Sequence, residues 1–118
     1  HTRMPSTAGG LPVRVRGCCQ PPQDRLERGQ ARRIAEIGGA LADPTRVEML
    51  HMLKRTDVPI CVCDFTAAFG LSQPTVSHHL ARLRRAGLVA SFRRGLWSFH
   101  QLRDDLTAEA RAALTLIT

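Results

Sequence analysis

The apolar positions change period along the chain, and those changes divide it into elements. Over residues 24–41, Leu26, Ile34, Ile37 and Leu41 supply the apolar positions of a first helix, with arginines between them. Gly38-Gly39 weakens its last turn. Asp43-Pro44 reads as an N-cap followed by proline at the first helical position. Val47, Leu50 and Leu53 then line one face of a second helix that reaches Lys54, and a loop follows to Pro59. A short helix is expected over residues 61–69, with its turn at Gly70-Leu71. Ser72 caps the next helix, which runs to about Ala86 and tolerates Pro74 in its first turn. Residues 88–92 and 96–102 are strand-like runs on either side of Arg93-Arg94-Gly95, which reads as a hairpin tip. Trp97 and Phe99 share one face of the second run. A final helix from about Thr107 carries Leu106, Ala110, Leu114 and Ile117 on one stripe.

Short helix, glycine turn, longer helix and hairpin is the order of a winged helix-turn-helix, so the predicted class is mainly α with a small β-hairpin. On a wheel of about 100° per residue, Val76, Leu80 and Leu83 fall together and should face the core. Pro74, His78, Ala81 and Arg85 fall opposite, flanked by Thr75, Ser77 and Arg82. Small polar groups near the start of such a helix can reach base edges, and arginines further along can grip phosphates. The candidate DNA contacts are therefore Gln73, Thr75, Ser77, His78, Arg82 and Arg85, with Arg93 and Arg94 from the hairpin. The plainer alternative for each is an ordinary solvated helix face or an exposed turn. His79 lies beside the core stripe and reads as a packed or capping residue.

Length and charge sharpen this picture. The chain has 118 residues, which suits one domain. Residues 1–23 are rich in proline and glycine without a period and read as a flexible arm, with His1-Thr2-Arg3 before Met4 resembling a tag remnant. Residues 24–118 are expected to form the winged helix-turn-helix DNA-binding domain, with the apolar faces of its two terminal helices suited to dimerisation. The net charge is +7, and every Lys or Arg except Lys54 is arginine, whose planar fork suits phosphate. No secretory leader and no membrane-length apolar run is recognised, so the expectation is a cytoplasmic protein with no membrane partner.

The four cysteines form two tight pairs, Cys18-Cys19 in the arm and Cys61-x-Cys63 at the start of the short helix. In a reducing compartment such clusters serve as ligands or sensors more than as disulfides. Residues two apart on a helix point about 200° apart, so Cys61 and Cys63 share one ion only if the helix end unwinds or the pair lies outside regular helix. Unwinding would couple capture to the reading motif. A helix N-terminus also lowers a thiol pKa. The plainer alternatives are that Cys61 and Cys63 are small buried hydrophobes and that Cys18 and Cys19 are incidental.

The stretches Ala40-Leu41-Ala42-Asp43-Pro44-Thr45-Arg46, Cys61-Val62-Cys63-Asp64 and Gly70 through Leu80, continued by Ala86-Gly87-Leu88-Val89 and the wing, resemble the arsenic-repressor (ArsR/SmtB) family of metal-sensing repressors. The resemblance covers roughly residues 30–102. It implies a homodimer built through the N- and C-terminal helices, bound to operator double-stranded DNA without ligand and released with it, controlling a resistance or efflux operon. The arsenite sensors best known for this motif carry a third cysteine where Thr66 stands here, and some relatives recruit arm cysteines across the dimer. The metal candidates are thus Cys18, Cys19, Cys61 and Cys63. Three sulfurs suit arsenite or antimonite, the favoured inducers; four suit cadmium, lead or zinc. The family's second kind of site, Asp/His pairs on the last helix, is not expected, since residues 103–118 hold Asp104, Asp105 and Glu109 but no histidine. His51 and His100 read as surface or core residues. The competing functions are a thiol-redox-sensing repressor, a structural-zinc protein and a thiol enzyme or metallochaperone. The enzyme reading lacks a nucleophile with a base and an orienting group.

Overall fold

The computed structural model describes Pro12 and residues 24–118. Among these, the elements run α1 (Gln30–Leu41), α2 (Pro44–Lys54), β1 (Ile60–Cys61), α3 (Val62–Phe69), α4 (Gln73–Arg85), β2 (Val89–Arg94), β3 (Trp97–Leu102) and α5 (Ala108–Leu114). The expected winged helix-turn-helix is present: α3 and α4 meet through the turn at Gly70, and the β2–β3 hairpin follows α4.

The local chemistry explains most boundaries and corrects several. The first helix begins at Gln30 rather than Asp24, because Gly29 lies at φ +85, where no right-handed helix continues. Leu26 and Ile34, expected on its apolar face, are 59% and 46% exposed, while Ile37 is buried. The helix runs through Gly38-Gly39. A Cβ on Gly39 would stand 2.5 Å from Arg82 Nη2, so the missing side chain makes room for a guanidinium from α4.

Asp43 caps α2 by accepting from the Arg46 N–H at 3.1 Å. The Arg46 guanidinium turns back to donate to the Ala40 and Gly39 carbonyls at 2.7 and 3.3 Å, adding donors at the carbonyl end of α1, where Gly39 also accepts from the Ala42 N–H. Its Nη1 donates to His79 Nδ1 at 3.1 Å, so one side chain ties α1, α2 and α4 together. Arginine only donates; Nδ1 therefore accepts, and the His79 proton sits on Nε2. Burial holds the His79 pKa below its ordinary value despite the nearby Asp43 carboxylate. His79 is thus the packed residue its position suggested. The chain's single lysine likewise joins two helices, since Lys54 Nζ donates to the Leu114 and Ile117 carbonyls at the end of α5.

The three strands form a sheet in the order β1-β3-β2, all antiparallel. Strand β1, only two residues long, was not anticipated; it pairs Ile60 with His100 and Cys61 with Phe99. The hairpin turn is Gly95-Leu96, not Arg93-Arg94-Gly95, since Arg94 still pairs with Trp97. Gly95 takes φ +63 at the first central position, as in a type II′ turn. Phe99 stacks on Phe92 with centroids 5.5 Å apart, whereas Trp97 stays 56% exposed. The core gathers Ile37 from α1, Leu50 from α2, Phe65 from α3, and Val76, Leu80 and Leu83 from α4. Each fully buried aliphatic of this size contributes about 1.5–3 kcal/mol. Among the described residues no helix is long and apolar enough to cross a membrane.

Candidate nucleic-acid interface and thiol pair

With Val76, Leu80 and Leu83 turned inward, α4 presents Gln73, Thr75, Ser77 and His78 outward, all exposed. Ser72 caps the helix by accepting from the Thr75 N–H at 3.3 Å, and its hydroxyl donates to Thr75 Oγ1 at 3.0 Å. The two candidate arginines differ. Arg82 pairs with Glu36 of α1 at 2.8 Å and is largely covered, so it acts as a strut between helices. Arg85 lies 3.5 Å from the same carboxylate with its side chain 63% exposed. Arg93 and Arg94 are exposed at the end of β2, with Arg94 over the Phe92 ring at 5.8 Å.

Helix and wing share a surface. Ser77 and Arg84 from α4, with Ser91, Arg93, Ser98 and His100 from the sheet, line one cleft of about 310 Å³ that carries two cations and no carboxylate. Sequence reasoning missed Arg84, Ser91 and Ser98. At the cleft's base, His100 is 4% exposed. Its Nδ1 meets Ser91 Oγ at 2.7 Å and its Nε2 meets Ser98 Oγ at 2.9 Å, while Arg84 donates to Ser91 at 3.2 Å. A neutral imidazole has one donor and one acceptor, so one of the two serines keeps its hydroxyl proton for a group in the cleft.

Burial, then the Arg84 charge, pushes the His100 pKa down to about 4 from 6.5. The unfolded chain therefore takes up this proton near pH 6.5 and the folded chain only near 4. Across that window the unfolded state holds more protons, so stability falls as pH falls, by up to about 3 kcal/mol for this group. The depressed His79 adds in the same sense. Thermal unfolding from pH 7 to 4 should show a shallower loss in His100→Asn than in the parent; parallel curves would contradict the assignment.

Cys61 and Cys63 lie closer than a helical pair allows. Cys61 is the N-cap of α3 in extended conformation, φ −75 and ψ 148, and Cys63 is on the first turn. The helix starts one residue later than expected, and the sulfurs stand 2.9 Å apart with no unwinding. Asp64 accepts from the Cys61 N–H at 3.1 Å and holds the cap. Cys61 is buried and Cys63 exposed. The expected lowering of the thiol pKa by the helix end does not hold for Cys63. Its S–H bond to Cys61, with burial and the nearby Cys61 and Asp64, raises it. Cys61 lies in β1, which pairs with β3 of the wing, and Cys63 lies in α3, which packs on α4. Cys18 and Cys19 lie outside the described residues. His51 is half-buried, its Nδ1 at 2.6 Å from the Thr118 carbonyl.

Residues 43–91 match the bacterial regulatory protein, arsR family. The chain is 34% identical over 96 residues to the putative arsenical resistance operon repressor ArsR2 of Halobacterium salinarum, covering 81% of this chain and 80% of that one. It is 39% identical over 70 residues to the arsenical resistance operon repressor of Escherichia coli, 59% of each. Among solved structures it resembles HlyU from Vibrio cholerae, with a TM-score of 0.62 at 29% identity, covering 76% of this chain and 92% of that one.

Proposed function

Because this chain belongs to the arsR family of bacterial regulatory proteins and is a transcriptional repressor rather than an enzyme, we propose that it binds operator DNA as a homodimer and is released when arsenite or antimonite is captured by its cysteine thiols. The observation that carries the reading is the 2.9 Å sulfur pair at the junction of wing, α3 and α4. Arsenical resistance repressors among its relatives support the same inducer class.

In this reading α4 enters the major groove with Gln73, Thr75, Ser77 and His78 at base edges. Arg85, Arg93, Arg94 and the Arg84–Ser91–Ser98 cleft take phosphates, and Arg82 braces the helix from behind. The dimer forms through α1 and α5. Ile34 of α1 and Leu116 beyond α5 are 46% and 79% exposed, and Arg33–Glu109 at 3.1 Å locks the two helices into one face. Two copies then present their α4 helices to successive grooves.

The metalloid takes three sulfurs, two from Cys18 and Cys19 of an arm and one from Cys61 or Cys63. Cys18 and Cys19 are adjacent in the chain and would strain a shared tetrahedral four-sulfur site, which favours this over cadmium, lead or zinc. A divalent cation must displace thiol protons into solvent. Arsenite instead brings hydroxides that leave with those protons as water. Ligation at the N-cap of α3 shifts α3 against β1 and α4, and the spacing of the two reading helices is lost. Replacing Cys18 and Cys19 by serine should leave operator affinity intact and remove release by arsenite in a fluorescence-anisotropy assay. Retained release in that variant overturns the three-sulfur site. The close sulfur pair also suits oxidation to a disulfide, and release by peroxide without metalloid would mark that mechanism instead.

A further inference from the structure

The cleft between α4 and the wing carries a chain of hydrogen bonds whose direction can be worked out. Across the β2–β3 ladder Ser91 pairs with His100 and Arg93 with Ser98, so these four side chains share the sheet face that lines the cleft with α4. His100 is buried at its base, the two serines are half-buried, and Arg84 and Arg93 are exposed. Arg84 has only donors, so Ser91 Oγ accepts from its Nη1 at 3.2 Å. Burial, then the Arg84 charge, lowers the His100 pKa to about 4, so at pH 7 the ring carries one proton, on Nδ1 or on Nε2. On Nδ1 it would point at Ser91 Oγ, and two donors, one of them cationic, would converge on that oxygen. On Nε2 the chain runs one way. Arg84 donates to Ser91, the Ser91 hydroxyl donates to His100 Nδ1 at 2.7 Å, and Nε2–H donates to Ser98 Oγ at 2.9 Å. The guanidinium favours this second arrangement, because it polarises the Ser91 hydroxyl toward donation and repels a proton on the nearer ring nitrogen. Ser98 then ends the chain with its own O–H free, and aligned donors strengthen the last of their number.

A free hydroxyl donor between two guanidiniums, in a cleft lined by no carboxylate, selects an anionic acceptor with several oxygens. Arg84 reaches it from α4, Arg93 from β2 and Ser98 from β3, and donors converging from three elements suit tetrahedral oxygens better than a flat carboxylate. We propose that this cleft is an oxyanion site in which Ser98, Arg84 and Arg93 hold one backbone phosphate of the bound duplex, with His100 the positioning residue that turns the Ser98 hydroxyl toward it. Inorganic phosphate offers the same oxygens and competes for the same place. The inference rests on DNA being bound through α4 and the wing. It adds to that reading a single phosphate fixed by a neutral hydroxyl as well as by charge, and a role in binding for a buried histidine that never touches DNA. Because the chain links α4 to both strands of the hairpin, the phosphate also sets the angle of the wing against the reading helix.

The full-length reduced protein, with isotope-labelled histidine, is titrated by NMR at pH 7 with inorganic phosphate and, at matched ionic strength, with sodium chloride. Expected are a His100 ring in the Nε2–H form and a shift of its resonances with phosphate but not with chloride. Ser98→Ala should remove that shift and weaken operator binding about tenfold in the dimer, with the salt slope unchanged because no charge is lost. Arg84→Ala should also weaken binding, and it should make the slope shallower by about 2, one phosphate contact in each protomer. Ser98→Thr keeps the hydroxyl on a residue that suits a strand, and it should restore both readouts. A Ser98 that serves packing alone would change the thermal melt of Ser98→Ala and leave its phosphate response and operator affinity as in the parent. That result, a ring in the Nδ1–H form, or equal responses to phosphate and chloride would each overturn the proposal. The DNA reading fails separately. If the parent binds no operator DNA while phosphate still shifts His100 through Ser98, that reading is lost and the cleft stands as a site for the free anion.

Discussion

Replacing Cys61 and Cys63 together by serine should leave operator affinity within about twofold and abolish release by arsenite at any concentration that releases the parent. The fold should survive the change. Serine is a preferred N-cap residue and cysteine is not, so Ser at position 61 retains an acceptor for the first turn of α3. Asp64 continues to accept the position-61 N–H. The lost sulfur burial is modest, and stability should stay within about 1 kcal/mol of the parent. Neither side chain lies among the DNA contacts proposed for α4 and the wing. Only the response disappears, because both candidate sulfurs that connect the metalloid to β1 and α3 are gone. Anisotropy with and without arsenite, together with a thermal melt, reads both halves. Undiminished release would place the inducer site elsewhere.

The second large effect concerns the wing. Arg93→Ala/Arg94→Ala should weaken operator binding roughly ten- to a hundredfold at low salt and flatten its salt dependence. Both arginines are exposed at the end of β2 without a carboxylate within ion-pairing distance among the described residues. Each phosphate left without its arginine lowers the slope of log affinity against log salt by about 0.9. Two arginines on each wing of a dimer therefore predict a slope shallower by about 3–4. The weakening should be similar on specific and random DNA, since phosphate contacts position the protein without reading bases. Ser77→Ala or His78→Ala should do the reverse, reducing discrimination between sequences with little change in slope. An unchanged slope in the double arginine variant would remove the wing from the interface.

The reading helix was legible because thirteen residues give the 3.6 period room to declare itself, with Ser72 and Pro74 marking its start. Val76, Leu80 and Leu83 are buried as the wheel requires. What escaped was set by tertiary geometry. Strand β1 is two residues long, too short for any period, and exists because β3 offers Ile60 and Cys61 an edge. Arg82 follows helical logic outward, yet Glu36 on α1 draws it back, and Gly39 leaves it space. The turn was displaced by one residue because Gly95 belongs at the first central position of a two-residue loop, which carries Arg93 and Arg94 into the strand. With that turn placed, the register puts Ser91 opposite His100 and Ser98 two residues before it on the same strand. The serine–histidine cleft was therefore recoverable in principle from Gly95 alone. The thiol pair was half legible. The spacing raised the choice between an unwound helix end and a pair outside regular helix, and the structure takes a middle course: Cys61 stands outside the helix at its N-cap while Cys63 stays on the first turn. Cys18 and Cys19 lie outside the described residues, so their part in the switch rests on chemistry.

The central claim is that a soft metalloid on these thiols releases a DNA-bound dimer. Its most direct test is fluorescence anisotropy of labelled operator DNA with the reduced parent protein, titrated separately with arsenite, antimonite, cadmium and zinc. The account predicts release by arsenite and antimonite near one equivalent per site, with little effect of zinc. Release by cadmium with none by arsenite, or no release by any of the four, would contradict it.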